Sequence, residues 1–434
     1  MTSKNRRNFM KTTGAAAAGL YVAGAAKARA ADAKKQTLAL NGGPKTVTIG
    51  VDGRWPRYGK AEVDEVSRLI MSPSYASIDV FEKAWKDHFK CAHNKAHCNG
   101  TNALGAIMFA LDIPPGSEIL VPSYSTWFPL SPARLFGIVP RFVDVDPMTL
   151  NIDVEDCKRK ITSKTRAILP VHWWGLPCEM DHVCDFAKEK GIEVVEDASH
   201  AHGSSMKGTM IGNWGRMAGF SLQGSKPLPA IEGGMANFKN RLDYERATTF
   251  GFYGLPGKFP KDSPYRKYDK TAFGSKLRMH PASAILARHR LAALDDQNAV
   301  INKMVRSVND RITQLPGLEE PTCRKDTKRV YYSSNMLILD KKKAGAERGA
   351  ILKALAAEGV PASTYGWKLL HTYPYFQEAK WWHHQPANPG KLPGSDRANL
   401  TTISIPIFRS DQPELADQYV AAFEKVWANI DKLA

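Results

Sequence analysis

The stretch Met180-Asp181-His182-Val183-Cys184-Asp185-Phe186-Ala187-Lys188-Glu189-Lys190-Gly191-Ile192-Glu193-Val194-Val195-Glu196-Asp197 decides the fold. Met180, Val183 and Ala187 recur at helical spacing, and Gly191 follows the last lysine as a C-cap should. Residues 192–197 then make a short apolar run that closes on two acids. A helix that passes through a glycine into a short strand is the repeating unit of a mostly parallel sheet covered by helices. The same alternation extends outward in both directions. Strand-like runs at 95–99, Glu118–Pro122, 140–145 and 166–171 precede it, interleaved with helix-like segments at 102–111 and 153–160. Shorter strands at 217–223 and Gly234–Phe238 follow, then a Pro-, Gly- and Lys-rich surface loop over 254–270.

Residues 281–314 carry no glycine and no proline after Pro281, so a long connecting helix is expected there. Beyond it, a strand at 329–339, a helix at 344–359, a strand at 401–406 and an amphipathic helix at 413–433 predict a smaller α+β domain. The expected organisation is an address at 1–30, an N-terminal segment at 31–84, a large α/β/α domain at 85–280, the connecting helix at 281–314 and the small domain at 315–434. With 434 residues, 43% hydrophobic and 24% charged, the composition is that of a folded protein and excludes disordered, collagen-like and coiled-coil architectures.

The formal charge of +17 is partly an N-terminal effect. Lys4, Arg6, Arg7, Lys11, Lys27 and Arg29 stand in the first thirty residues without an acid, leaving +11 for the rest. Those bases are dispersed and no aromatic-interleaved RNA-binding motif appears, so nucleic-acid binding is not expected, whereas anionic ligands suit the field. Lys4-Asn5-Arg6-Arg7-Asn8-Phe9-Met10-Lys11, the uncharged residues 12–26 and Ala28-Arg29-Ala30 resemble a twin-arginine export signal cleaved after Ala30. The uncharged stretch falls short of the ~20 residues of a membrane span. The expected compartment is the bacterial periplasm, and the twin-arginine machinery is the implied transport partner. No stable membrane insertion is expected after cleavage. Cysteines 91, 98, 157, 178, 184 and 323 do not cluster like a disulfide framework, and free thiols are expected. Cys91, His93, His97 and Cys98 have zinc-ligand chemistry, but their spacing fits no standard finger, so no metal site is assigned.

The chemistry concentrates in Gly219-Phe220-Ser221-Leu222-Gln223-Gly224-Ser225-Lys226-Pro227-Leu228-Pro229-Ala230-Ile231-Glu232-Gly233-Gly234. This passage resembles the cofactor-lysine segment of the DegT/DnrJ/StrS sugar aminotransferases, fold type I enzymes dependent on pyridoxal 5′-phosphate. The resemblance continues in Leu38-Ala39-Leu40-Asn41-Gly42-Gly43-Pro44, Gly100-Thr101-Asn102, Val121-Pro122-Ser123-Tyr124, Pro170-Val171-His172, Glu196-Asp197-Ala198-Ser199-His200 and Arg278-Met279. It implies Lys226 as the Schiff-base lysine and Asp197 as the carboxylate that holds the pyridine nitrogen protonated. It also implies His200 near the cofactor's phenolic oxygen. Physical chemistry agrees. The cofactor needs an amine that can form an imine and then act as a base, and a carboxylate that keeps the ring an electron sink. A phosphate needs backbone N–H donors at a helix start, and Gly100 and Thr101 open the predicted helix, with Ser221 adding a hydroxyl.

Four positions depart from the family pattern. The aromatic face after Val-Pro-x-Tyr falls on Thr126, so Trp127 is the offset candidate for stacking. Lys276 stands where the family has an Asn that reaches a neighbouring subunit's phosphate, which implies a homodimer with shared sites. Ile231 replaces the first glycine of Gly-Glu-Gly-Gly, and Pro227 follows the lysine. His371 and the pair His383–His384 are assigned to exposed loops. The expected activity is ping-pong transfer of an amino group from glutamate or glutamine to a keto-sugar or keto-cyclitol, because the Leu-Asn-Gly-Gly-Pro opening resembles members that act on inososes. Two alternatives remain open at this point: a pyridoxal-phosphate-dependent sugar dehydratase, and a binding or sensing protein without turnover.

Overall fold

The computed structural model describes residues 36–52, 55, 56, 58–271, 273 and 275–433; the expected signal and its cleavage point after Ala30 lie outside them. Strands β1 (His93–His97), β2 (Glu118–Pro122), β3 (Val139–Val143), β4 (Thr165–Ile168) and β5 (Glu193–Asp197) belong to one central sheet. A small hairpin follows, β6 (Ser205–Met206) and β7 (Thr209–Met210), before the sheet is completed by β8 (Met217–Ser221) and β9 (Gly234–Phe238). The seven-stranded order is β1-β9-β8-β5-β4-β2-β3. Of these seven, β9 alone runs against its neighbours, so the C-terminal ends of the other six meet at one edge.

Alternation along the strands builds both faces. Val194, Leu120, Ile168 and Phe220 point to a core with Phe81, Trp85, Phe89, Val183 and Phe186. Their neighbours Val195, Val121, Ala167 and Met217 point to a second core with Leu104, Ile107 and Ala247. Helices Ala76–Phe89 and Met180–Lys190 therefore cover one face, and Gly100–Ala110 and Arg241–Gly251 the other, which is the α/β/α layering the sequence predicts. Trp85 stacks on Phe89 with centroids 4.0 Å apart and donates its indole N–H to Asn237 Oδ1 at 2.8 Å.

The smaller unit pairs β10 (Leu318–Glu319), β12 (Ser334–Leu339) and β13 (Thr402–Pro406) antiparallel, while β11 (Thr327–Lys328) crosses to pair with β6. Its core joins Ile351 and Leu355 to Tyr419 and Phe423 of helix Pro413–Ala428, and Leu38 and Val47 pack into it. The expected N-terminal segment is thus divided. Its start belongs to the small unit, and helix Ala76–Phe89 runs through the boundary expected at 84/85.

The single connecting helix expected over 281–314 is two helices, Pro281–Ala292 and Leu294–Ile312, broken at Ala293 (φ −100°, ψ 1°). Packing causes the break: the first half lies against Ala76–Phe89 and the second against Pro413–Ala428, and no single axis satisfies both. The helix expected at 344–359 is likewise divided by Gly345 in the left-handed region. The strand expected at 329–339 begins only at Ser334, because Ser333 (φ 60°) turns the chain before it. Among the described residues all six cysteines are free, and no helix is long and apolar enough to cross a membrane.

Candidate active site

The sheet's C-terminal edge assembles the predicted residues from distant parts of the chain. Asp197 is the last residue of β5, Ser221 the last of β8, and Gly100 opens the helix that follows β1. This edge is where parallel sheets bind ligands, because the strands end there and helices begin.

Gly100 and Ser221 are in close contact: a Cβ added at Gly100 would stand 2.7 Å from Ser221 Cβ and 2.8 Å from its Cα. Any larger residue would force the turn away from β8. Gly234 is under the same constraint from the other side, with the Asn99 carbonyl oxygen 2.3 Å from its would-be Cβ. Asn99 caps the helix by accepting the Asn102 N–H at 2.8 Å. The N–H groups of Gly100 and Thr101, in the first turn, have no acceptor within the helix and carry its positive end. Three adjacent donors, two backbone and one hydroxyl, make a phosphate cradle.

Asp197 is 5% exposed, and its Oδ1 accepts the Ser199 N–H at 3.0 Å. Burial pushes its carboxyl above the usual range, while Ser199 and the charge of Lys226 pull the other way. His172, directly behind, is fully buried; its Nε2 lies 3.1 Å from Glu196 Oε2, and its Nδ1 accepts the Cys178 N–H at 3.1 Å. Burial opposes a charge on His172 while Cys178 and Glu196 favour one, but an Nδ1 that accepts an N–H carries no proton, so the ring is the neutral tautomer that donates from Nε2 to Glu196. Glu196 also accepts the N–H groups of Gly212, Trp214 and Gly215. A neutral imidazole, held by Glu196 and the Cys178 N–H, thus sits behind the carboxylate that faces the site.

Lys226 lies in the turn after β8, its N–H bonded to the Gln223 carbonyl at 2.9 Å and its own carbonyl accepting the Trp55 indole N–H at 3.2 Å. Its ammonium stands 4.3 Å from the centroid of Tyr332, a cation–π contact. Tyr332 stacks on His200 at 4.0 Å, and His200 stacks on Trp173 at 4.9 Å. Burial, followed by the positive charge of Lys226, holds His200 well below its ordinary pKa, so this ring is neutral. The fold therefore brings Lys226, Asp197, His200, Gly100, Thr101 and Ser221 to one edge.

Two predicted residues lie apart from that set. Trp127 is 40% exposed and stacks on Phe128 at 4.0 Å. Its loop is turned by the Tyr365 hydroxyl, which donates to the Ser125 carbonyl at 2.9 Å, and by Ser123, whose Oγ lies 2.7 Å from His371 Nδ1. The rings that flank His200 are instead Trp173 and Tyr332. Lys276 is exposed in a groove of about 610 Å³ with Tyr75, Cys98, Glu232 and Arg278. Cys91, His93, His97 and Cys98 do not converge, and no group of three or more metal-ligating side chains occurs among the described residues. Sequence reasoning missed Tyr332, Trp173 and Trp55; a double Trp after Pro-Val-His was the visible signal for one of them.

The donor set fits pyridoxal phosphate on geometry alone. The cradle accepts a phosphate, the buried carboxylate suits a protonated ring nitrogen, and His200 Nδ1 and Trp174 Nε1 are buried without partners among the described residues, as polar groups reserved for a ligand are. Comparison with known proteins agrees. The chain is 27% identical over 383 residues to the spore coat polysaccharide biosynthesis protein SpsC of Bacillus subtilis, covering 87% of this chain and 97% of that one. It is 28% identical over 435 residues to the L-glutamine:scyllo-inosose aminotransferase of Streptomyces griseus, covering 92% and 99%. The crystal structure of an aminotransferase from Psychrobacter cryohalolentis superposes with a TM-score of 0.79 at 25% identity, over 87% of this chain and 99% of that one. A family model matches residues 58–424, and the chain belongs to the DegT/DnrJ/EryC1/StrS aminotransferase family, whose cofactor is pyridoxal phosphate.

Proposed function

We propose that this protein is an aminotransferase that moves an amino group from glutamate or glutamine to a keto-sugar or keto-cyclitol by a ping-pong route. The observation that carries this reading is Lys226, a primary amine at the edge where Asp197, His200 and the Gly100–Ser221 cradle meet. When bound, pyridoxal phosphate supplies the electron sink that labilises the Cα–H bond of an amino acid. The chain's own groups do the rest. Gly100, Thr101 and Ser221 hold the phosphate, and Asp197 holds a proton at the ring nitrogen. His200 lies flat between two aromatic rings, which fix its orientation. Lys226 Nζ would be the base that takes and holds the Cα proton of the bound amino acid.

The relative that acts on scyllo-inosose, with its near-complete overlap, supports a polyhydroxylated ring as acceptor. Presence of the lysine favours transfer over the dehydratase alternative. The same reading includes a homodimer, supported by exposed Val63, Ile70, Met71 and Tyr75 around the Lys276 groove, and twin-arginine export of the folded chain to the periplasm. Light scattering and cell fractionation with an Arg6,Arg7→Lys variant test those two parts. The central test is the absorbance of the purified protein with and without glutamate or glutamine. A visible cofactor band that shifts with donor, and is lost or altered in Lys226→Ala, is expected; a band that ignores both donors overturns the transfer reading.

A further inference from the structure

The backbone of Lys226 is held from a distant part of the chain. Lys226 closes a tight turn, its N–H on the Gln223 carbonyl at 2.9 Å. The loop beyond it is tied by the Ala230 N–H on the Leu222 carbonyl at 2.7 Å and the Gly224 N–H on the Ile231 carbonyl at 2.9 Å. Pro227 comes next and brings no N–H, so the Lys226–Pro227 peptide has its carbonyl alone by which to be oriented. Among the described residues that carbonyl accepts from the Trp55 indole N–H, 171 residues away in sequence, at 3.2 Å.

The indole is itself held by two cations. The Arg409 guanidinium, after β13 in the small unit, lies 4.7 Å from its centroid, and the Arg290 guanidinium, in helix Pro281–Ala292, lies 5.2 Å from it. The Arg409 carbonyl accepts from Gln297 Nε2 at 2.8 Å, which anchors that cation to helix Leu294–Ile312. Tyr58, in the same segment as Trp55, lies against the far end of the lysine loop. Burial raises its hydroxyl to about 12, while the Ile231 backbone and Arg290 pull the other way. Trp55 and Tyr58 therefore meet the loop at its two ends, Lys226 and Ile231. A lysine side chain is long and rich in rotamers, so its amine is aimed only as well as its two ends are fixed. Tyr332 holds the ammonium end and Trp55 the backbone end.

We propose that Trp55 is a positioning residue for Lys226: its indole N–H sets the Lys226–Pro227 peptide, and the cations on its ring keep the indole in place. The inference rests on Lys226 as the residue that bonds the cofactor. Trp55 touches neither cofactor nor substrate in this role and acts through the lysine alone.

The test compares the cofactor with an analogue that cannot bond a lysine. Pyridoxal phosphate and pyridoxine phosphate share ring and phosphate, but the second has an alcohol in place of the aldehyde, so only the first depends on where the Lys226 amine points. Both are added to the cofactor-stripped full chain, the first followed by its visible band and the second by calorimetry. Trp55→Phe keeps a ring for the two guanidiniums and loses the donor. It should capture pyridoxal phosphate about three- to tenfold more slowly, the worth of one hydrogen bond, with the parent's pyridoxine phosphate affinity and melting temperature. Trp55→Ala should be slower still. Equal capture by Trp55→Phe and the parent overturns the proposal. So does an equal loss of affinity for both ligands, which makes Trp55 part of the pocket wall. Lys226→Ala separates the two readings. If it keeps the parent's visible band, the assignment of Lys226 fails and the proposal with it; if it loses the band while Trp55→Phe matches the parent, Lys226 stands and the role of Trp55 alone falls.

Discussion

Two of the charged clusters buried among the described residues are finished differently. In the small unit, Glu358 Oε1 accepts the Ala39 N–H at 2.8 Å, and its Oε2 accepts the Thr46 hydroxyl at 2.7 Å and the Lys425 ammonium at 2.9 Å. Lys425 also donates to the Pro44 carbonyl at 2.8 Å. Glu358 and Lys425, stripped of water, find partners within the chain, and the pair ties residues 39–46 to two helices. At the sheet edge, Asp197 accepts from Ser199 alone among the described residues, while His200 Nδ1 and Trp174 Nε1 have no partner among them. A completed cluster holds the fold together; an incomplete one, kept at the ends of rigid strands, is reserved for a ligand.

Substitution at the sheet edge should produce the largest effect. Asp197→Asn is expected to lower turnover by about 10²–10⁴-fold, the range of a positioned proton-holding group. Yet the cofactor-free protein at neutral pH should melt higher than the parent. Burial holds this carboxyl above its usual range, so its ionisation costs stability once pH exceeds that range, and Asn removes the charge. If Asp197→Asn instead unfolds the protein, the division between the two clusters collapses.

Glu358→Gln should do the reverse, costing about 3–5 kcal/mol because Lys425 is left buried without its counter-charge. Denaturant unfolding measures this, and the proposed activity of the protein that remains folded should be intact.

The pH dependence sharpens the contrast. Burial works to raise the Glu358 carboxyl, but the Ala39 N–H, Thr46 and Lys425 overcome it and hold it below its ordinary value. Its contribution is therefore full above the ordinary carboxylate range and is lost as pH falls through the depressed value. Melting temperature against pH should drop on the acid side in the parent, and less steeply in Glu358→Gln. An equal acid slope in both proteins would remove Glu358 as the cause.

The smallest effect is expected at Ile231, a β-branched residue at φ 65° and 61% exposed, on the turn that follows Lys226. Left-handed backbone disfavours such a side chain, so Ile231→Gly should stabilise by about 1 kcal/mol, seen as a higher midpoint in denaturant. The backbone at Ile231 thus takes a conformation natural to glycine.

The helix-to-strand alternation around Gly191, the apolar runs and the order of the short motifs were legible in the sequence because each is a local property of neighbouring residues. So were Lys226, Asp197, Gly100 and Ser221 as candidates, through residue type and spacing. The break at Ala293 was not, since nothing local marks it and two competing packing partners produce it. The sandwich of His200 between Trp173 and Tyr332 was not legible either, because Tyr332 comes from the turn before β12, far along the chain. Trp55 and Arg409 lie farther apart still, one ahead of the sheet and one after β13, and only folding brings them together. By itself the sequence determined the α/β layering, the cofactor family and the residues that could do its chemistry, all of which rest on local pattern and residue type. Tertiary structure alone decided which rings face Lys226 and which cations gather on Trp55, because those contacts join segments that share no sequence neighbourhood.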